Sequence, residues 1–242
     1  MAEKTLEQMK EAVAEIREKM AAAAREAGRD PAAVQLCAAC KTRTAQTVAA
    51  SAALPIDVFG ENHVQELCEN FDAGAYCGKP SHFIGHLQTN KVRQVVGKVS
   101  LIQSVDSQRL LAAIDREAAR QGIVQDILLE VNIGEEASKS GFAAEDILPL
   151  MEKIGEFSNI CIKGLMAIPP ISHISGENQK FFQKMFHLSV DIRQKKYDNV
   201  KVDCLSMGMS GDFADAIASG STMVRVGTAI FGARDYARDS SK

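Results

Sequence analysis

Two short segments near the carboxyl end of the chain, residues 206–212 and 225–232, are rich in glycine, serine and threonine. Each of them follows an apolar run that predicts a β-strand. Glycines let a backbone approach a ligand closely, and exposed amide groups and small hydroxyls bind phosphate oxygens. The two segments therefore predict a phosphate-binding cradle. If they follow the seventh and eighth strands of a barrel, they occupy the common phosphate site of that fold.

A lysine with a possible chemical role, Lys41, follows the apolar run at residues 34–40. On its position alone, Lys41 is most simply explained as a solvated charge that ends a strand. A lysine that is partly desolvated among apolar residues can instead act as a nucleophile toward a carbonyl group. The phosphate cradle favours the second explanation, because a ligand with a phosphate and an aldehyde would engage both features. Pyridoxal 5'-phosphate is such a ligand.

Arg225 lies inside the last apolar run, two residues before Gly227. An arginine that points into a barrel is costly unless a partner accepts its hydrogen bonds. That partner is either a carboxylate such as Asp203 or Glu130, or a bound ligand, and the sequence alone gives the two equal weight. A guanidinium that faces a pyridine nitrogen would keep this nitrogen unprotonated. The cofactor would then withdraw electrons less strongly than one paired with a carboxylate.

Asn62, His82 and His86 follow or end other apolar runs. Asn62 has a simple alternative explanation as a helix cap, and the two histidines could be ordinary core or cap residues. The four-residue spacing of the histidines resembles a metal-binding pair on a helix. Gly85 and the break between strand and loop argue against such a pair, so we predict no metal site.

Short apolar segments alternate along the chain with segments of helical periodicity. The apolar segments span residues 34–40, 56–59, 82–84, 101–105, 127–131, 160–168, 200–205 and 223–226. Helical periodicity between them is typical of strands that pair in parallel, with a helix in each connection. Eight such alternations predict a single α/β domain, a (β/α)8 barrel of the TIM type.

An open, doubly wound sheet is the alternative to the barrel. It would normally carry a Gly-x-Gly-x-x-Gly motif after its first strand, and the residues that follow the first apolar run contain no glycine. The barrel is therefore favoured, with a lead-in helix over residues 1–28 that packs on it. The loop at residues 169–176 follows the sixth strand, on the face where active-site loops belong.

The composition excludes several classes of partner. The 242 residues include 28 Lys and Arg against 31 Asp and Glu, for a net charge of -3, and no basic stripe indicates nucleic-acid binding. No apolar run approaches membrane-spanning length. The six cysteines lie mostly in apolar runs, which fits a reducing compartment, so we expect a cytoplasmic protein. Cys37 and Cys40 have the spacing of a redox pair, but on a strand they point to opposite faces, and we interpret both as packing residues.

Five motifs, spread in order over nearly the whole chain, resemble the pyridoxal phosphate homeostasis protein family, also known as proline synthetase co-transcribed proteins. The motifs are Cys40-Lys41-Thr42, Phe59-Gly60-Glu61-Asn62, the stretch from His82 to Gln88, Gly164-Leu165-Met166, and residues 205–232. The family is similar in fold to the barrel domain of alanine racemase and of the fold-type III decarboxylases. The resemblance implies a fold-type III barrel that binds pyridoxal 5'-phosphate.

The resemblance also implies roles for single residues. Lys41 would hold the cofactor as a Schiff base, and Arg225 would face the pyridine nitrogen. The remaining implied ligands form two groups. The phosphate ligands would be Ser206, Gly227, Thr228 and Ser210, and the residues near the ring or on the same rim would be Asn62, Met166, His82 and His86.

Racemases and decarboxylases of this fold carry a second, β-rich domain, and the chain extends only ten residues past Gly232, so we expect no such domain here. A racemase also needs two bases, and only Lys41 is a clear candidate. We therefore expect a monomeric, non-catalytic protein of cofactor homeostasis that contacts cofactor-dependent apo-enzymes transiently. The alternatives are an amino-acid racemase and a cofactor-free sugar-phosphate isomerase or aldolase that uses Lys41 on a sugar carbonyl.

Overall fold

A computed structural model describes residues 3–136, 139–170, 172, 174 and 176–232. Its strands are β1 (Gln35–Ala39), β2 (Val58–Glu61), β3 (Ser81–Phe83), β4 (Leu101–Val105), β5 (Gln125–Val131), β6 (Ile160–Ala167), β7 (Val200–Ser206) and β8 (Met223–Val226). Each strand pairs in parallel with the next along the chain, and β8 closes the barrel on β1. The predicted (β/α)8 barrel is confirmed. Residues 233–242 of the predicted 1–242 domain, and residues 171, 173 and 175 of the predicted loop, lie outside the described residues.

Helices fill the connections between the strands and precede the first of them. They are α1 (Leu6–Glu26), α2 (Ala45–Ser51), α3 (Val64–Asp72), α4 (Gln108–Gln121), α5 (Ala144–Met151), α6 (Gln179–Gln194), α7 (Phe213–Ala218) and α8 (Thr228–Phe231). The connection after β3 differs from the predicted helix, because residues Thr89–Gln94 form a 3₁₀ helix. Its tighter turns still bury Val92, Val95 and Val96 against the core.

The N-terminal helix α1 packs on the barrel as expected. A capping box starts it, in which Thr5 Oγ accepts from the Gln8 amide at 3.3 Å and Gln8 Oε1 accepts from the Thr5 amide at 2.9 Å. Its apolar face, which includes Val13, is buried and contacts α2, α7 and α8. This helix therefore covers the outer face of the barrel next to the elements that carry the two glycine-rich segments.

Except in the first part of β7, where Lys201 and Asp203 are exposed, the strands are largely buried on both faces, which explains their nearly continuous apolar sequences. Cys37 packs inside the barrel with Val58, Ile84 and Met223, whereas Cys40 packs in the outer core under the helices. Burial raises the pKa of the Cys37 thiol to about 12. Cys37 in β1 and Cys40 directly after it thus lie in two different apolar clusters, which agrees with a packing role for both. In the part of the chain that the structure describes, no helix is both long and apolar enough to span a lipid bilayer.

Candidate functional site

A cavity of about 280 Å³ opens at the carboxyl ends of the strands. It lies where active sites form in this fold. Six of the ten residues singled out in the sequence line it, together with others that the sequence did not reveal. The lining side chains and backbone belong to Lys41, Asn62, Ser210, Arg225, Gly227, Thr228, Ala39, Arg43, Ile84, Ile168, Met209 and Gly211.

A tight turn after β1 places Lys41 at the cavity wall. The Arg43 amide donates to the Cys40 carbonyl at 2.9 Å, and the Thr42 amide donates to Glu66 Oε1 at 3.3 Å. Thr42 has φ of 65°, a left-handed conformation that is unfavourable for a β-branched residue and often marks a functional site. The turn thus ends β1 abruptly and holds the half-buried Lys41 beside the open end of the barrel.

Arg43 adds a second cation to the cavity wall. Its side chain is buried, and Nη2 donates to the Gly232 carbonyl at 2.9 Å. Nη1 lies 3.5 Å from the Glu3 carboxylate, and the guanidinium stacks over the Phe231 ring, 5.7 Å from its centroid. These contacts join the Lys41 turn to the end of α8. Arg43 therefore connects the lysine side of the cavity to one of the glycine-rich segments.

The first glycine-rich segment forms a loop between β7 and α7. Gly208 adopts φ of 93°, and a Cβ at this position would lie 2.6 Å from Ala216 Cβ, so only glycine fits. The Met209 amide donates to Asp212 Oδ1 at 2.7 Å, which closes the loop. The following residue, Ser210, is exposed at the cavity mouth. The predicted phosphate ligand Ser210 thus belongs to the cavity lining.

The second glycine-rich segment forms the start of α8. Gly227 and Thr228 both line the cavity, and the Thr228 side chain is exposed. A Cβ at Gly227 would lie 3.1 Å from the Ala39 carbonyl oxygen, so a glycine lets β8 and β1 pack closely here. The first amides of a helix have no partner within the helix and favour an anion. The two segments thus form adjacent walls of one anion-compatible pocket.

Arg225 is buried in the barrel beneath the cavity. Its Nη1 donates to Ser206 Oγ at 2.6 Å, and its Nη2 donates to the Ala167 carbonyl at 2.9 Å. Burial lowers the pKa of this guanidinium. The predicted ion pair with Asp203 or Glu130 is not formed in the described residues, because Asp203 lies 3.6 Å from Lys163 and Glu130 acts on Arg225 only at longer range. Ser206 and Ala167 are its partners in the protein, and a bound ligand, the other partner considered from the sequence, stays a prediction.

Four residues named in the sequence analysis do not line this cavity. Ser206 is fully buried, and its hydroxyl also donates to Gln103 Oε1 at 2.7 Å. Met166 is fully buried and packs inside the barrel in an apolar cluster. His82 is buried beside Gln103, and desolvation lowers the pKa of its imidazole to about 4. His86 lies on the rim, where its Nδ1 is 3.2 Å from Asp106 Oδ2.

A second cavity of about 260 Å³ adjoins the first, and Asn62, Ile84 and Ile168 border both. Asn62 does not cap a helix, because His63 occupies the position before α3. A Cβ at Gly85 would lie 2.0 Å from the Asn62 carbonyl oxygen, so the end of β3 packs directly on the Asn62 backbone. This contact fixes the wall between the two cavities.

Comparison with known proteins identifies the family. A family model described as alanine racemase, N-terminal domain, matches residues 11–235. The pyridoxal phosphate homeostasis protein of Aquifex aeolicus (strain VF5) is 39% identical over 226 residues, which are 93% of this chain and 98% of the relative. The protein of the same name from Escherichia coli (strain K12) is 36% identical over 229 residues, 93% and 97% of the two chains. The chain belongs to the pyridoxal phosphate homeostasis protein family.

Solved structures agree with this family membership. PipY of Synechococcus elongatus PCC7942, in a structure with PLP bound, is 30% identical and superposes with a TM-score of 0.76 over 90% of this chain and 100% of PipY. An alanine racemase of Clostridium difficile 630 is only 13% identical, with a TM-score of 0.65, and covers 91% of this chain and 56% of the racemase. The racemase shares the fold alone, whereas PipY shares sequence along its whole length.

Two polar residues of this family member escaped the sequence analysis. Arg43 lies two residues after Lys41, and only the turn at Thr42 brings both side chains to one cavity. Gln103 lies in the middle of β4, whose other residues are apolar except Ser104. A polar side chain inside a strand that is buried throughout needs a partner. That signal alone would have pointed to Gln103 as part of a buried polar network.

Proposed function

We propose that this chain binds pyridoxal 5'-phosphate in the 280 Å³ cavity and acts in intracellular homeostasis of that cofactor. In this proposal Lys41 holds the cofactor as a Schiff base, and the protein passes it to enzymes that depend on it. The names of the relatives and the PLP-bound PipY structure support the proposal.

The charges of the cavity wall carry the proposal. Among the described residues that line the cavity, Lys41, Arg43 and Arg225 are cationic, and none is a carboxylate. A wall of this composition fits a ligand with a phosphate dianion. Arg225 also has five N–H donors, of which Ser206 and Ala167 receive one each. Donors thus remain for an acceptor in the cavity.

Different lining residues would contact different parts of the cofactor. In this proposal Ser210 and Thr228, which line the cavity, and the first amides of α8 bind the phosphate. Lys41 would bond to the carbonyl carbon of the cofactor, and Ile84 and Ile168 give apolar surface for a ring. When bound, the cofactor supplies an aldehyde and an electron-withdrawing pyridine ring. Arg225 would donate to the ring nitrogen and keep it unprotonated, which would weaken that withdrawal.

The lining residues of the cavity favour a protein that binds the cofactor without catalysing a reaction. A racemase needs a second proton-transfer group on the face of the substrate opposite the lysine. Among the described lining residues, none is a histidine, tyrosine, cysteine or carboxylic acid, and Lys41 is the one lysine. We therefore propose a non-catalytic protein, and amino-acid racemisation remains the second candidate because the barrel is that of alanine racemase.

Borohydride trapping tests the attachment. Purified protein is incubated with pyridoxal 5'-phosphate, reduced with borohydride, digested and mapped by mass spectrometry. The expected result is a phosphopyridoxyl group on Lys41 and none at that peptide in Lys41→Arg. Lys91→Arg, at an exposed lysine, is the matched control and is expected to label like the wild type. Absence of label at Lys41 in the wild type would contradict the proposal.

A racemase assay separates the two candidates. The loaded protein is incubated with each enantiomer of alanine and of other amino acids, and the product is resolved by chiral chromatography. We expect no turnover above the rate of free cofactor. Turnover that disappears in Lys41→Ala would instead establish the racemase.

We further propose that the protein is a cytoplasmic monomer that contacts cofactor-dependent apo-enzymes transiently. Sedimentation velocity at several protein concentrations tests the monomer. Transfer is tested by mixing the loaded protein with a cofactor-dependent apo-enzyme in the presence of a scavenger for free cofactor. Reactivation that the scavenger does not suppress supports direct delivery, and complete suppression argues against it.

A further inference from the structure

Four polar side chains form a chain of hydrogen bonds across the inside of the barrel, beneath the cavity. Arg225 Nη1 lies 2.6 Å from Ser206 Oγ, Ser206 Oγ lies 2.7 Å from Gln103 Oε1, and Gln103 Nε2 lies 2.8 Å from His82 Nδ1. The four residues come from β8, β7, β4 and β3, and all are buried. We call this chain of four side chains the relay. It connects the cavity to the opposite wall of the barrel.

The direction of each hydrogen bond in the relay follows from Arg225. Arginine has donors only, so Ser206 Oγ must accept from Arg225 and give its single proton to Gln103 Oε1. The Gln103 amide then donates through Nε2 to His82 Nδ1, and its second hydrogen points to Met223 Sδ at 3.1 Å. His82 Nδ1 is therefore an acceptor, which assigns a neutral imidazole with its proton on Nε2.

The environment of His82 agrees with this assignment. Desolvation lowers the pKa of the buried imidazole to about 4, so His82 is neutral at physiological pH. A neutral imidazole has one acceptor nitrogen, and the relay uses it. Each of the three contacts of the relay thus joins a donor to an acceptor, and a buried hydrogen-bonded network of this kind is rigid.

We propose that Gln103 is a positioning residue for the cofactor site, because through Ser206 it holds the Arg225 guanidinium in the orientation that donates to the pyridine nitrogen. The identity of the ligand rests on the proposed function, whereas the relay consists of residues of this chain only. Gln103 itself does not line the cavity, so it acts only through Ser206 and Arg225.

The Glu130 carboxylate competes for the Arg225 guanidinium, which explains why the orientation of the guanidinium must be fixed. Glu130 lines the neighbouring cavity, and its charge acts on the guanidinium across the barrel. An arginine with only one anchored nitrogen could turn toward that carboxylate. With Nη1 bound to Ser206 and Nη2 bound to Ala167, the plane of the guanidinium is fixed at two points. Loss of the relay would release one of these points.

The relay can be tested in the free protein by NMR of the His82 ring nitrogens. The expected result near neutral pH is a neutral imidazole with the proton on Nε2 and a hydrogen-bonded, unprotonated Nδ1. A proton on Nδ1 would overturn the proposal, because Gln103 could then not donate to His82 and the order of hydrogen bonds would fail.

The positioning role is tested with Gln103→Met, which keeps the side-chain shape and removes both hydrogen bonds, and with cofactor labelled by ¹⁵N in the ring. We expect about tenfold weaker binding, the effect of one lost hydrogen bond to a charged network, and a moved ring-nitrogen shift. Gln125→Met is the matched control: Gln125 is also buried, but it bonds the Gly97 amide and the Val99 carbonyl at the other end of the barrel. It should lower stability and leave the ring-nitrogen shift unchanged.

Gln103→Glu is the rescue variant, because its side chain still offers an oxygen to the Ser206 hydroxyl. Its ring-nitrogen shift is expected to stay close to that of the wild type, even if Gln103→Met does not fold. The proposal would be overturned if Gln103→Met kept the ring-nitrogen shift and the cofactor affinity of the wild type. It would also be overturned if Gln103→Glu changed the ring-nitrogen shift as much as Gln103→Met does. A wild type that binds no cofactor would contradict the proposed function instead, and the His82 measurement would still decide whether the relay exists.

Discussion

Ser206 and Arg225 bind each other: Ser206 Oγ accepts a 2.6 Å hydrogen bond from Arg225 Nη1 in the interior of the barrel. The serine at the end of β7 was expected to bind phosphate, and the arginine in β8 was expected to meet the ring. Their contact makes Ser206 a partner of Arg225, while Ser210 and Thr228 are exposed at the cavity mouth. In the proposed function, the buried Arg225 would contact the ring, and the exposed Ser210 and Thr228 at the cavity mouth would contact the phosphate.

Ser206 at the end of β7 and Ser210 in the loop that follows should respond differently to loss of their hydroxyls. Ser210→Ala should weaken binding of pyridoxal 5'-phosphate and leave stability nearly unchanged, because its side chain is exposed. Ser206→Ala should lower the free energy of unfolding by about 1–3 kcal/mol, because it leaves buried groups of Arg225 and Gln103 without a partner. Urea denaturation and cofactor titration of both variants measure the difference. Equal effects on stability would contradict this division of roles.

Gly85 should tolerate no side chain. A Cβ at this position would lie 2.0 Å from the Asn62 carbonyl oxygen, and that atom belongs to rigid backbone at the wall between the two cavities. Gly85→Ala is expected to cost about 3 kcal/mol of stability and to weaken cofactor binding by displacing Asn62. The matched control is Gly155→Ala, where the added Cβ meets no atom within 4 Å. A Gly85→Ala protein as stable as the Gly155→Ala protein would show that the contact is not rigid.

Burial of His82 should make the fold less stable in mild acid. Its pKa is about 4 in the folded protein, against the ordinary histidine value of 6.5, so the unfolded chain binds more protons between these pH values. The stability it contributes is present above about pH 6.5 and is lost as the pH falls toward 4, by up to about 3 kcal/mol. Urea denaturation between pH 7 and pH 4 measures the slope.

The control for that experiment is His82→Gln. Its amide oxygen can accept the same hydrogen bond from Gln103 without titrating, so its stability should depend less steeply on pH over this range. A slope equal to that of the wild type would assign the acid sensitivity to other groups.

Much of the fold could be predicted because the signals are local. Apolar runs mark the eight strands, and Lys41 and the glycine-rich segments mark the ends of three of them. The ends of the strands could be predicted less well than the strands themselves. β2 extends through Glu61, two residues past the predicted apolar run at 56–59. The sequence did not reveal this end, because a glycine and a buried glutamate interrupt the apolar pattern.

The sequence could not predict which of the site residues are buried inside the barrel and which lie at the cavity mouth, for a physical reason. Strands buried on both faces lose the alternation of polar and apolar residues that tells inside from outside. The side-chain directions of His82, Gln103 and Ser206 therefore depend on strand register, such as the pairing of Ser206 with Met166 and with Met223. Register is a property of the closed barrel, and no short segment of the sequence contains it.

The visible absorption spectrum tests the central claim most directly. Purified protein is incubated with increasing concentrations of pyridoxal 5'-phosphate and freed of unbound cofactor by gel filtration, and the spectrum is compared for the wild type, Lys41→Ala and the surface control Lys91→Ala. The claim predicts a yellow complex with saturable absorption that borohydride abolishes, in the wild type and in Lys91→Ala but not in Lys41→Ala. A wild type that stays colourless, or a Lys41→Ala protein that develops the same absorption, would contradict it.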